Sequence, residues 1–164
     1  MKFRKALSKD LAIINKIFKE GSEYLKNSGV DQWQGDTVPV AENEKDFYVL
    51  EDLGEVVAVG LVMDYDLQYD IIYDGHWHYE ENYLAVHKLA TNKRFRRRGC
   101  ATKLLKEIED LAMDSDIYVI RIDTHNDNLP MNNLLLKSGY KRAGIVELID
   151  GGIRNAYDKK LTRE

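Results

Sequence analysis

Residues 92 to 105 read NKRFRRRGCATKLL, with five basic side chains in the six positions Lys93 to Arg98, then Gly99, then apolar residues at helical spacing. A strand that turns through glycine into a helix presents unpaired backbone N–H groups at the positive end of the helix dipole, and phosphate binds there. Within Arg96-x-x-Gly99-x-Ala101, glycine and alanine allow the backbone close to a pyrophosphate while arginine supplies charge-assisted hydrogen bonds. Two further places hold groups that can carry protons. His87 lies nine residues before Arg96, and Asp123 and His125 close a later apolar run. An imidazole, with an ordinary pKa of about 6.5, can accept a proton at neutral pH.

Other chemistries fit the same residues less well. With 24 Lys and Arg against 28 Asp and Glu, the net charge of -4 offers no global attraction for a polyanion, so the basic cluster is local and no nucleic-acid partner is expected. A merely solvated Lys/Arg surface is the plain alternative. No Gly-x-Gly-x-x-Gly appears, which argues against a dinucleotide fold. His76 and His78 stand two apart without a Cys nearby, a weak zinc pattern, and no metal is expected. Cys100, the single cysteine, could be activated at a helix start, but its place inside the glycine loop suits a small filler.

The elements that must position these groups form one mixed α/β domain spanning 1–164, in the order β-α-loop-β-β-β-α-β-α-β-β. Residues 2 to 7 read as a first strand. Asp10 opens an amphipathic helix, with Leu11, Ile14, Ile17 and Phe18 on one face, that runs to about Asn27. After a polar stretch around Trp33, strands at 46–52 and 54–67 are joined by a turn at Asp52 to Glu55. The near-continuous apolar run 83–91 predicts a strand covered on both faces and leads into the basic loop. A helix follows from Thr102, a strand over 117–123, and a helix with Pro130 just inside its start and Gly139 at its stop. Two closing strands meet near Gly151 and Gly152. No run approaches the ~20 apolar residues of a membrane span, the N-terminus lacks a signal-peptide core, and the lone cysteine excludes an internal disulfide framework. A cytoplasmic protein with no membrane partner is expected.

HKLATNKRFRRRGCATKLL resembles the Arg/Gln-x-x-Gly-x-Gly/Ala signature of the GNAT superfamily of N-acetyltransferases in its strand-loop-helix frame. NLPMNNLLLKSGY is similar to the family's second signature, an Asn, a helix, then Gly139 and Tyr140 eleven and twelve positions on. The chain also resembles bacterial members that carry an early Gln-Trp and an RIDTHNDN-like run. The resemblance covers most of the chain and implies a GNAT-like acyl-CoA N-acyltransferase fold, with acetyl-CoA as cosubstrate. It assigns Arg96, Arg97, Arg98, Gly99, Cys100, Ala101 and Thr102 to the pyrophosphate cradle. It also implies a splayed strand whose backbone at Leu89, Ala90 and Thr91 meets the pantetheine arm, with Asn128 either against the same arm or acting as a plain helix cap.

Acetyl transfer to an amine then needs a base more than an acid. Deprotonating a lysine-like amine of pKa about 10.4 at pH 7 costs about 4.6 kcal/mol, whereas releasing a thiolate of pKa about 8.5 costs roughly 2 kcal/mol. His87 is the candidate base, because strand alternation puts it on the face of Leu89 and Thr91, and some relatives carry a working histidine at this offset. Asp123 and His125 could orient the amine or relay its proton. Where many members hold a tyrosine four residues before the Gly-aromatic pair, this chain has Leu135, which cannot donate. The thiolate then leaves unaided, is served by Tyr140 or water, or the chain binds acyl-CoA without efficient turnover. Acidic and aromatic residues in the two variable loops (Asp31, Asp36, Glu80, Glu81, Trp33, Trp77, Tyr79) favour a small cationic amine as partner. Peptide or protein amines are the alternative acceptors, a non-catalytic acyl-CoA-binding module is the alternative class, and a homodimer stays open.

Overall fold

The computed structural model describes residues 1–163. Among the described residues seven strands and three α-helices follow one another as β1 (Lys2–Lys5), α1 (Leu11–Asn27), β2 (Phe47–Asp52), β3 (Glu55–Met63), β4 (Leu84–Thr91), α2 (Cys100–Asp114), β5 (Val119–Thr124), α3 (Leu129–Lys137), β6 (Lys141–Glu147) and β7 (Ile153–Lys160). The strands hydrogen-bond in the order β1-β2-β3-β4-β5-β7-β6, a mixed sheet in which β4 and β5 run parallel. The chain divides into two compact units, one of Met1–Val62 with His87–Ile108, the other of Met63–Val86 with the chain from Glu109 on. Among the described residues no helix is long and apolar enough to cross a membrane.

In the first unit the helical periodicity of α1 buries Ile14, Ile17 and Phe18 completely, against Phe47, Val49 and Val59 with Trp33, Leu61 and Ala90 at the margin. Each such side chain contributes about 1.5–3 kcal/mol on full burial. Gly60, between Val59 and Leu61, looks the other way along the strand. A Cβ there would lie 3.5 Å from both Ile108 and Leu89, so the missing side chain is what lets α2 sit close. The β2–β3 hairpin closes through Leu53 and Gly54, both at positive φ (49° and 82°), the signature of a type I′ turn, at the Asp52 to Glu55 position read from the sequence.

Several boundaries differ from the sequence reading: α2 begins at Cys100 and not Thr102, β4 at Leu84 and not residue 83, and β5 spans Val119–Thr124 and not 117–123. Two further shifts have a visible cause. The first strand stops at Lys5 rather than residue 7, because Asp10 turns back to accept from the Leu7 N–H (2.7 Å) and from both terminal nitrogens of Arg4. Asp10 therefore anchors the turn before α1 and gives the helix no side-chain cap. The strand expected over 54–67 ends at Met63, since Asp66 is buried and caps a 3-10 turn at Leu67–Tyr69 by accepting from the Gln68 N–H at 2.8 Å.

In the second unit the 64–83 excursion folds back as an aromatic cluster. Tyr69, Trp77 and Tyr83 pack with Ala85, Val119, Ala143, Val146 and Ala156. The Asn128 side chain accepts from the Met131 N–H at 3.3 Å to start α3, Pro130 occupies its first turn, and Tyr140 N–H returns to the Leu135 carbonyl at 3.0 Å beyond Gly139. The β6–β7 ladder carries a bulge between Arg142 and Gly144.

Candidate functional site

The glycine loop is fixed at its entrance by a residue the sequence reading passed over. Asn92 is buried, its N–H donates to the Val57 carbonyl (2.8 Å) and its amide to the Val56 carbonyl (3.0 Å), while its own oxygens accept from Arg94 and Phe95 N–H. Arg94 adds an ion pair with Glu55 at 2.6 Å. Arg96 is turned toward the C-terminal half of α1, where it donates to the Glu20 carbonyl at 3.1 Å and lies 4.6 Å from the Tyr24 ring centre. The basic run is thus divided by role, because Arg97 and Arg98 are exposed and Arg97 sits at φ 62°.

Lys103 N–H donates to the Gly99 carbonyl at 2.9 Å, so α2 winds directly out of the glycine. The amides of its first turn, Cys100, Ala101 and Thr102, have no intrahelical acceptor to reach. Gly99 has φ 76°, which L side chains rarely adopt, and a Cβ there would meet no atom within 4 Å. An open glycine, first-turn amides and two exposed guanidiniums fit a pyrophosphate. Cys100 is almost fully buried, with Sγ 3.6 Å from the Phe95 carbonyl. Burial pushes its thiol up, against the weaker lowering by Arg98, which disfavours the thiolate.

On β4 the parallel ladder pairs Leu84, Ala85 and Val86 with Ile120, Arg121 and Ile122 and, among the described residues, goes no further. His87 is the next residue and is half-buried. Lys88 has φ 54°, so regular extended backbone breaks directly after the histidine, and the alternation that set His87 beside Leu89 and Thr91 is interrupted there. Beyond the break Leu89 is buried while Ala90 and Thr91 are half-buried. The Lys88 ammonium lies 5.9 Å from the Phe47 ring centre, and desolvation lowers its pKa. Trp33, also at positive φ (61°), packs edge-on against Phe18 and accepts from Ser22 Oγ at 2.7 Å, anchoring its loop to α1.

In the second unit β5 carries Arg121 and Asp123 on one face. The Arg121 guanidinium is sandwiched 4.3 Å from both the Trp77 and Tyr83 ring centres and donates to the Tyr79 carbonyl at 2.9 Å. Burial lowers its pKa. Asp123 is half-buried and accepts from the Tyr69 hydroxyl at 2.5 Å. His125 Nδ1 accepts from the Asp127 N–H at 3.0 Å, which leaves the ring proton on Nε2 in the neutral form. Asn132, unforeseen, donates to the carbonyls of His125 and Asn128 (3.0 and 2.8 Å) and accepts from Tyr157 Oη at 2.6 Å, so it sets the loop that begins α3.

Several loop residues considered for an acceptor pocket are committed elsewhere. Trp77 covers Arg121 and Glu81 pairs with Lys160. His78, weighed only for a metal, has Nδ1 2.6 Å from buried Asp158. Leu135 is fully buried. Tyr140 donates to Glu109 at 2.9 Å in a buried pair that also engages Lys159, and burial beside that carboxylate pushes the phenol well above its usual range.

The sequence of residues 12–140 matches the model of the acetyltransferase (GNAT) family. An acetyltransferase of the GNAT family from Streptococcus agalactiae 2603 superposes with a TM-score of 0.86 at 28% identity, covering 99% of this chain and 96% of that one. A Listeria monocytogenes 4b F2365 GNAT-family acetyltransferase gives 0.74 at 18% identity over 98% and 94% of the two chains. The ribosomal-protein-alanine N-acetyltransferase of Brucella melitensis gives 0.69 at 16% identity over 98% and 100%, and at these lower identities the likeness is one of fold. No curated protein matches the sequence significantly. With the family model covering most of its length and its mixed sheet shared with these neighbours, the chain belongs to the GNAT family of acetyltransferases.

Proposed function

We propose that the chain moves the acetyl group of acetyl-CoA to the primary amine of a small cationic molecule in the cytoplasm. The observation that carries this reading is the loop at Gly99, whose positive φ, unfilled space and helix-start amides suit a pyrophosphate. Bound acetyl-CoA supplies the thioester. Arg97, Arg98 and the amides of Cys100 to Thr102 hold its phosphates, and the backbone of Leu89, Ala90 and Thr91, past the end of the β4–β5 ladder, offers hydrogen bonds to the pantetheine arm. Asn128 caps α3 and keeps that loop in register.

His87 takes the proton of the amine, directly or through water, which is the costlier of the two proton steps. Tyr140 does not protonate the sulfur in this reading, since its hydroxyl is given to Glu109, and with Leu135 in the core the thiolate leaves unaided or to water. His125 serves its own turn through Asp127. The test is release of free thiol from acetyl-CoA with a panel of small amines and peptides with free N-termini. Turnover with small cationic amines above that with peptides is the expected result. Turnover confined to peptides moves the acceptor class, and acetyl-CoA binding with no turnover makes the chain an acyl-CoA-binding module.

A further inference from the structure

Resting on that reading, we propose that Lys88 is a self-acetylation site, its side-chain amine taking the acetyl group from coenzyme bound to the same chain. Lys88, its neighbours and the glycine loop all belong to the first compact unit. The loop that holds the phosphates, Arg97 to Thr102, follows β4 in the chain. An arm running from that loop along Thr91, Ala90 and Leu89 therefore brings its thioester last to the residue before Leu89, which is Lys88. The side chain of Leu89 packs toward α2, 3.5 Å from where a Gly60 Cβ would stand, whereas the Lys88 ammonium lies 5.9 Å from the ring centre of Phe47, on the α1 side.

Among the described residues the Lys88 ammonium makes no hydrogen bond or ion pair, although the residue is half-buried. Lys159, also half-buried, pairs with Glu109 at 2.9 Å. A desolvated charge without a counter-ion is disfavoured, so burial lowers the Lys88 pKa and enlarges the neutral fraction that can attack a carbonyl. The backbone adds a second sign, because φ 54° is a left-handed conformation that lysine rarely adopts and that clusters at functional sites. In the step itself neutral Nζ bonds to the thioester carbonyl carbon and the C–S bond breaks. The surplus proton on nitrogen goes to water, and the departing CoA thiolate takes one from water. The product is a neutral amide, which leaves no unpaired charge beside Phe47.

The test is peptide mapping by mass spectrometry of the wild-type protein incubated with acetyl-CoA and no added amine. Calorimetric titration with CoA reports coenzyme binding separately. Lys88 is expected to gain an acetyl group at least about 10-fold faster than the exposed Lys9 and Lys26, because a bound thioester makes the step effectively unimolecular. The rate should saturate with acetyl-CoA, stay constant as protein concentration changes, and fall when excess CoA is added. S-acetyl-N-acetylcysteamine, a thioester without the phosphates, should show no such preference for Lys88. Lys88 modified no faster than the exposed lysines, a rate that CoA does not suppress, or the same preference from the truncated thioester each overturns the proposal. Protein that binds CoA and acetylates added amines while Lys88 stays unmodified defeats self-acetylation alone. Protein that does not bind CoA removes the coenzyme reading and the proposal with it.

Discussion

Arg96 Nη2 donates to the Glu20 carbonyl at 3.1 Å, so the first arginine of the glycine-loop signature is a strut to the middle of α1. Its guanidinium, stacked on Tyr24, is partly used before any phosphate arrives. Arg96→Ala is expected to loosen the loop and lower both acetyl-CoA affinity and thermal stability, whereas Arg97→Ala and Arg98→Ala, from exposed positions, should weaken coenzyme binding without touching stability. Gly99→Val forces a β-branched residue into φ 76° and places it in the open space, and at least a tenfold loss, about 1.4 kcal/mol, is expected by calorimetry. Unchanged affinity in a folded Gly99→Val protein would remove the cradle.

Tyr140→Phe separates structure from catalysis at the second signature. The variant keeps the ring in place but withdraws the donor to buried Glu109, leaving Lys159 as partner. Hydrogen bonds to charged groups contribute about 1.5–3 kcal/mol. Urea unfolding should therefore show a loss of that order while kcat changes less than about threefold. A hundredfold fall in kcat with intact stability would return Tyr140 to the role of acid. Leu135→Tyr is a poorer probe, because a fully buried leucine leaves no room for the larger ring and overpacking costs about 1–3 kcal/mol.

Which parts of this were legible in the sequence follows from the range of the interactions involved. The helices α1 and α2, the β2–β3 turn and the start and stop of α3 rest on contacts within a few residues, and periodicity, glycine and proline mark them. Met63 to Leu67 continues the apolar alternation of β3, yet the strand ends because Asp66 turns its side chain to Gln68 and its backbone to the hydroxyl of Tyr83, seventeen residues on. The Tyr69–Asp123 bond, the Arg121 sandwich and the Asn92 bolt to β3 share that character. Each joins residues whose types are unremarkable until the sheet brings them together. The break at Lys88 is a backbone conformation that no side-chain pattern announces.

Acid should cost the chain the stability that the ionised Asp10 contributes. Its hydrogen bonds from Arg4, reinforced by the Leu7 N–H, outweigh burial and hold its carboxyl below the usual value. A folded-state pKa below the unfolded one, about 3.9, contributes stability that is fully present above that value and is lost as pH falls through the lowered folded pKa. Asp10→Asn is therefore expected to be less stable than wild type by about 1–3 kcal/mol from pH 5 to 8. The gap should close in acid below pH ~4. A gap independent of pH would show that the asparagine disturbs the turn sterically and that the ionised carboxylate contributes nothing of its own.

The proton step puts His87 to the test. The residue directly follows the last paired residue of β4, Val86, and directly precedes the left-handed Lys88. If it takes the amine's proton, His87→Ala should lower turnover by roughly 10²-fold at neutral pH with acetyl-CoA affinity nearly intact, because the ring acts in the transition state and not in coenzyme binding. The deficit should shrink as pH rises toward the amine's own pKa, about 10.4, where the acceptor arrives already neutral. A His87→Ala enzyme with full activity and a wild-type pH profile would pass the base role to another group, and a deficit constant with pH would mark the imidazole as structural.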